Sequence, residues 1–300
     1  MAGNITATLE ARDLEAIDRI LYEAPKEELV ARSLFNVKSD VDPGAETYGY
    51  NVLTRTGVAK IIANGADDLP LVDLDMKREF VQIYTIAAGF RYSVQELRQA
   101  KMLNQSVDAT KAETVRRAIA EKENSLAFSG DNKYNIKGLS NVTGIQVVNA
   151  AAIGTGNSTK WKDKTPAQIE EEIRVARSKV TVLPGYGAAG LALALPPEQY
   201  EMLDKRYSDF DTRTIKEVIR AHGWFTDIVR VADLKAAGTG KTASMLIIET
   251  SRTTAELLIP MDVTRLEAEW KYPNWTIPNE ERCGGMVIRA PYGIVRVDGI

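Results

Sequence analysis

The stretch Tyr84-Thr85-Ile86-Ala87-Ala88-Gly89-Phe90-Arg91-Tyr92-Ser93 decides how the chain is read. It continues an extended segment that begins near Lys77 and runs to about Arg91, with Phe80, Val81, Ile83, Tyr84 and Ile86 as its β-formers. At its far end Ser93 is placed to cap a helix, and Glu96 three residues later completes a capping box. Helical character then continues to Phe128, with a break expected near Asn104-Gln105. Ala112, Val115, Ile119 and Leu126 form one apolar stripe, while Lys111, Arg116, Arg117, Glu121, Lys122 and Glu123 lie mostly elsewhere. From Val107 to Phe128 this predicts a helix about 30 Å long at the standard rise per residue. Ser129-Gly130-Asp131-Asn132 stops it, and Ile136-Lys137-Gly138-Leu139 reads as a short turn-like segment.

Upstream, Tyr48, Tyr50, Val52, Thr54 and Thr56 alternate with Thr47, Gly49, Asn51, Leu53 and Arg55, the period of a strand. Asn64-Gly65 is a turn signal, followed by Asp67, Asp68 and Pro70. Two long strands joined by a polar tip predict a hairpin that reaches away from the main core. A two-stranded hairpin is marginal alone, so it needs a surface to lie on, and a neighbouring subunit would supply one. Nearer the N-terminus, Thr8 to Tyr22 has the spacing of an amphipathic helix through Leu14, Ile17 and Leu21, ended by Pro25. Lys26 to Phe35 predicts a second short helix. The first helix is either an ordinary surface element or an arm that packs on another chain.

Downstream, Ala150 to Lys164 is small and polar and reads as a linker. Thr165-Pro166 opens a helix to Lys179 with Ile169, Ile173 and Ala176 as its buried stripe. Leu191 to Leu195, Ile228 to Val231 and Ser244 to Thr250 predict strands, and Pro197 to Tyr207 and Thr214 to Ala221 predict helices. Residues 165–250 thus read as an α/β module. Residues 257–300 are strand-rich, with Val287 to Ala290 and Ile294 to Val297 flanking Pro291-Tyr292-Gly293.

Composition excludes several functions. Of 300 residues, 44% are hydrophobic and 26% charged, the balance of a folded soluble protein of about two domains. The formal charge of −3 gives no electrostatic bias toward nucleic acid. One cysteine and one histidine rule out an internal disulfide, a Cys/His zinc cluster and any two-histidine mechanism. No targeting signal stands out in residues 1–25, and Ala188 to Leu195, the longest apolar run, is too short to cross a bilayer. Neither a cofactor nor a membrane partner is expected.

The motifs that suggest chemistry lack its context. Gly185-Tyr186-Gly187-Ala188-Ala189-Gly190 has dinucleotide-fingerprint spacing but leads into a strand and Pro196-Pro197, where a helix is required. Gly238-Thr239-Gly240-Lys241-Thr242 resembles the end of a phosphate loop, yet Lys235 stands where its first glycine belongs and a strand follows. A nucleotide-dependent enzyme using Gly240-Lys241-Thr242 is the rival from another class. His222 reads as a helix-end residue and Cys283 as a small buried one. The acidic pairs Asp67-Asp68 and Glu280-Glu281 and the run Glu170-Glu171-Glu172 read as solvated surface. Trp270, Tyr272 and Trp275, crowded around Pro273, are either a core plug or an interface anchor.

The order of elements, with the stretch quoted at the outset, Phe128-Ser129-Gly130 and Lys137-Gly138-Leu139, resembles the major capsid protein of tailed bacteriophages, the Hong Kong 97-type fold shared with encapsulin shells. The resemblance implies an α+β chain divided as follows: residues 1–45 an N-terminal arm, 46–75 an E-loop hairpin, and 76–150 a peripheral domain with a long spine helix. Residues 151–250 would be an inserted α/β axial domain, and 251–300 the return strands of the peripheral domain. It implies self-assembly into hexamers and pentamers of an icosahedral head that encloses double-stranded DNA, made in the host cytoplasm and residing in the virion. Scaffold, portal and decoration proteins are the further partners implied, with DNA contacted weakly and without sequence specificity. An encapsulin-type compartment shell is the alternative. Tyr48, Tyr50, Lys60, Asp67, Asp68, Trp270, Tyr272 and Trp275 are the candidate contacts between subunits. Some members link an E-loop lysine covalently to a neighbour's asparagine; Lys60, Asn274, Asn279 and Glu280 do not align to that motif, and Lys60 reads as a solvated or salt-bridging lysine.

Overall fold

A computed structural model describes residues 28–56, 73–103 and 107–300. A one-turn helix, α1 (Ala31–Leu34), and a short strand, β1 (Val37–Lys38), come first. The short helix predicted from Lys26 is thus confined, among the described residues, to α1. Strands β2 (Thr47–Thr56) and β3 (Asp73–Gln82) then pair antiparallel along all ten residues, Tyr48 opposite Val81 and Tyr50 opposite Glu79. No third strand joins them among the described residues, so they form a ribbon.

The single extended run expected from Lys77 to Arg91 is broken at Ile83. This residue is buried with Leu258 and Val287, and its N–H donates to Glu46 O at 2.8 Å. Turning Ile83 inward ends the ribbon and starts β4 (Tyr84–Ser93) in a different sheet. The predicted cap follows: Glu96 N–H donates to Ser93 Oγ at 3.1 Å, and Ser93 N–H to Glu96 Oε2 at 2.9 Å. Helices α2 (Val94–Leu103) and α3 (Val107–Phe128) continue from there. The break expected at Asn104-Gln105 lies outside the described residues, as do the helix expected from Thr8 to Tyr22 and the turn at Asn64-Gly65.

Strands β5 (Gly130–Asp131) and β6 (Ile136–Lys137) pair with each other, so the first half of the segment read as turn-like is a strand and the turn begins after it. After β7 (Gln146–Asn149), the stretch read as a linker is a packed crossing. Trp161 is almost wholly buried there and donates its Nε1–H to Glu172 Oε2 at 2.7 Å. Composition missed it because one large aromatic anchors an otherwise small and polar segment.

The remaining elements are α4 (Pro166–Thr181), β8 (Leu191–Leu195), α5 (Pro197–Met202), α6 (Ile215–Ala221), β9 (Asp227–Arg230) and β10 (Ser244–Glu249). They are followed by β11 (Ala255–Leu258), β12 (Met261–Arg265), β13 (Glu269–Lys271), β14 (Asn274–Cys283), β15 (Gly285–Ile288) and β16 (Ile294–Asp298). Helix α4 opens with a capping box, Thr165 with Gln168, and α6 with another, Thr214 with Glu217.

A five-stranded sheet in the order β7-β16-β10-β8-β9 is the wall between two cores. Leu191, Leu193, Leu195, Met245 and Ile247 point into one core, with Ile169, Ile173 and Ile219 of the covering helices. Ala192, Ala194, Leu246 and Ile248 point into the other, with Phe35, Phe128 and Leu139. Burial on both faces explains why β8 is a continuous apolar run. The module expected over 165–250 is completed by β7 and β16, which come from outside that range.

Strand β14 pairs with β4 along ten residues and with β12 and β13 on its other edge. Helix α3 lies on this sheet, where Val115 and Ile119 meet Phe90 and Ile277. A third sheet, β1-β11-β15, closes the body beside the ribbon.

Candidate functional site

Chemistry-bearing residues are dispersed. The Cys283 thiol is buried among the residues around Phe128 and is pushed up to about 12 by that burial, far from a thiolate at neutral pH. His222 lies on the opposite module, stacked on Trp224 with ring centroids 4.4 Å apart and its Nε2 2.9 Å from Glu170 Oε1. The residues Gly238 to Thr242 form a tight turn in which Lys241 N–H donates to Gly238 O at 3.0 Å and Asp298 Oδ2 accepts from Thr239 N–H at 2.9 Å. A strand, β10, follows it, where a phosphate loop needs a helix N-terminus. Residues 185–190 likewise lead into β8. Among the described residues no His, Cys, Asp and Glu group is arranged to hold a metal.

The surfaces that stand out are apolar and projecting. On the ribbon, Tyr48, Tyr50 and Val81 share the inner face and pack at its root on Ile83, Leu258 and Val287. Tyr50 Oη donates to Ile288 O at 3.0 Å, and Arg289 lies 6.0 Å from the Tyr50 ring centroid. Both tyrosines thus pack on their own chain where the ribbon leaves the body, and each keeps part of its surface exposed. The outer face is bare: Phe80 and Met76 are each 62% exposed, and Arg78 lies 5.3 Å from the Phe80 ring centroid. Between ribbon and body runs a groove of about 630 Å³ lined by Tyr50, Glu79, Met286, Ile288, Arg289 and Pro291. Lys60, Asp67 and Asp68 lie outside the described residues.

A second projection is the hairpin of β13 and β14. Trp270 is directly opposite Trp275, with ring centroids 4.9 Å apart, and Tyr272 packs edge-on to Trp270 at 6.3 Å. Tyr272 is 84% exposed and Trp270 46%. The tip contains the cis Tyr272-Pro273 bond, and Pro273 O accepts from Val94 N–H at 3.1 Å, which ties the hairpin to the start of α2. The core-plug alternative is excluded, since the aromatics cluster with one another at the surface.

Two features were missed. Phe210 is fully exposed on the loop between α5 and α6, bracketed by the Arg206–Thr214 bridge and by Arg213 pairing with Asp211. Also, Glu172 and Glu281, read as solvated, are buried. The helical period that marks Ile169, Ile173 and Ala176 includes position 172, and the alternation Ile277, Asn279, Glu281, Cys283 includes position 281.

The described residues form an α+β body with closed cores, from which a ribbon and an aromatic hairpin project. A family model described as "Major capsid protein" matches residues 57–300, and the chain belongs to that family. Among solved structures, the capsid of Myoviridae phage XM1 aligns with a TM-score of 0.80 at 14% identity, covering 98% of this chain and all of that one. The capsid of an empty GTA particle aligns at 0.68 with 12% identity, covering 98% and 99%. A virus-like particle from Pyrococcus furiosus aligns at 0.63 with 16% identity, covering 89% and 91%. The fold is the Hong Kong 97 type, and the chain is a capsid shell protein.

Proposed function

We propose that this subunit assembles into hexamers and pentamers of a closed icosahedral phage head around double-stranded DNA, acting by self-association and without catalysis. The ribbon would be the E-loop, α2 and α3 the spine, and the five-stranded module with its helices the axial domain. The carrying observation is the ribbon's outer face: Phe80 and Met76 stay in water on a subunit whose own cores are already closed. Burying such a face gains about 25 cal/mol per Å² of apolar surface, and a neighbouring subunit would offer the opportunity. The Trp270, Tyr272 and Trp275 hairpin is proposed as a second contact, of the exposed aromatic kind that anchors interfaces. A chain of formal charge −3 would hold packaged DNA loosely. Scaffold, portal and decoration proteins would be its other partners, with assembly in the host cytoplasm.

Electron microscopy of the purified chain, with and without a co-expressed scaffold, tests this reading. Closed particles are expected for the natural sequence. The double variant Trp270→Ser, Tyr272→Ser should keep its circular dichroism and melting temperature but fail to close particles. Subunits that remain monomeric under every assembly condition would refute the proposal. Particles that enclose an enzyme cargo in place of DNA would redirect it to a compartment shell.

A further inference from the structure

Helix α1 is one turn long, has no capping side chain of its own, and is held from outside. The N–H groups of Val30 and Ala31 both donate to Asn124 Oδ1 of α3 at 3.1 Å. The second tether is Arg32, one cation among three carboxyl groups. Its Nε lies 2.9 Å from Glu123 Oε1, and its Nη2 lies 2.7 Å from Glu123 Oε2, 2.9 Å from Asp262 Oδ1 and 3.2 Å from Glu281 Oε1. Asp262 is well exposed and solvated by water. The Glu281 side chain is wholly buried, that of Glu123 nearly so, and Glu281 Oε2 has no hydrogen-bond partner.

Among the described residues, Arg32 is the cation bonded to these carboxylates. Opposite Glu281, β4 offers Ile86. Cys283, next on the same face of β14, remains a neutral thiol. On α3, Asn124 is neutral, and its Nδ2 lies 3.4 Å from Asp233, a further carboxylate. Two buried carboxylates facing one guanidinium cannot both ionise without leaving a buried charge unmatched.

We propose that Arg32, Glu123 and Glu281 form a proton-operated latch, closed while Glu281 keeps its proton and opened by loss of that proton. Closed, it holds α1 on α3 and β14, and with α1 it fixes β1, whose Val37 and Lys38 pair with Leu257 and Leu258 beside the ribbon root. Burial and the neighbouring Glu123 push the Glu281 carboxyl up to about 8. The folded value lies above that of an unfolded glutamate, about 4.3, so the docked state binds the proton more tightly. The stabilisation that the Glu281 proton supplies is therefore full below about pH 4.3 and is lost as pH rises through about 8.

Hydrogen exchange on the full chain tests it, read at the amides of Leu34 and Phe35, which donate to Val30 O and Ala31 O. After correction for the intrinsic chemical rate, their protection should fall above about pH 8, by up to about tenfold per pH unit for one proton. Protection at Ile247, in the central sheet, should not change. Glu281→Gln, which mimics the protonated carboxyl, should abolish the fall and leave α1 better protected than the natural chain at pH values near 9. Should that variant not fold, Glu123→Gln also removes the like-charge conflict and should flatten the same profile. A natural chain with no fall in protection, or a foldable variant with the natural slope, overturns the latch.

Discussion

Single residues are where composition misled most, and Glu172 shows why. Its Oε2 accepts from Trp161 Nε1–H at 2.7 Å and from Lys164 Nζ at 2.8 Å, and its Oε1 accepts from Ala151 N–H at 2.9 Å. The Lys164 side chain has no exposure at all, so this is a buried ion pair whose every polar partner depends on one carboxylate. Removing one member of such a pair leaves the other charge stranded, which costs about 3–5 kcal/mol. Glu172→Ala should lower the stability of the unassembled chain by that order, measured as a shift of the urea midpoint at unchanged slope. A cost within about 0.5 kcal/mol, the range of ordinary surface substitutions, would mean that the crossing from Ala150 to Lys164 is not held this way. The partners are 8 to 21 residues apart in sequence, so their pairing was not legible. The phase of position 172 on the buried stripe of α4 was.

Elements were more legible, because capping boxes and periodicity are local. Ser93 with Glu96, Thr165 with Pro166, and the alternation in β2 all led to elements within a residue or two of those observed. The two-residue strands β5 and β6 escaped, since they have too few positions to show a period. Their glycines explain the stretches that carried the resemblance. Gly130 sits at φ +68°, and a Cβ there would come 2.5 Å from Gly138 N. A Cβ on Gly138 would in turn come 2.6 Å from Ser129 C and 2.7 Å from Phe128 O. Both obstacles are backbone, which cannot rotate away as a side chain could. This close crossing sets the exit of α3, where Leu139 N–H donates to Ala127 O at 2.9 Å. Gly138→Ala should therefore destabilise by at least about 2 kcal/mol, whereas Gly187→Ala, where a Cβ meets nothing within 4 Å, should be nearly neutral. Thermal melts of the two variants side by side make the comparison, and equal melting temperatures would contradict it.

At the scale of the whole molecule, neither charge nor composition pointed to a shell; the order of elements did. That order matters physically because it leaves one large element that meets the body's cores at its root. Ten residues at about 3.3 Å each carry the described strands of the ribbon about 30 Å, and its named contacts with the body gather at the root around Tyr48, Tyr50 and Val81. Beyond the root, Met76 is exposed. Replacing residues 55–71 by a short Gly-Ser turn should thus leave the melting temperature within a few degrees of the natural chain, because Ile83, Leu258 and Val287 still close over the root. The same variant should fail to give closed particles by sedimentation and electron microscopy, because the lost length is what a neighbour would cover. The two readouts separate the possibilities. A truncated chain that unfolds assigns the ribbon to the subunit's own core, and one that still closes stable shells relieves the ribbon of any role in holding neighbours together.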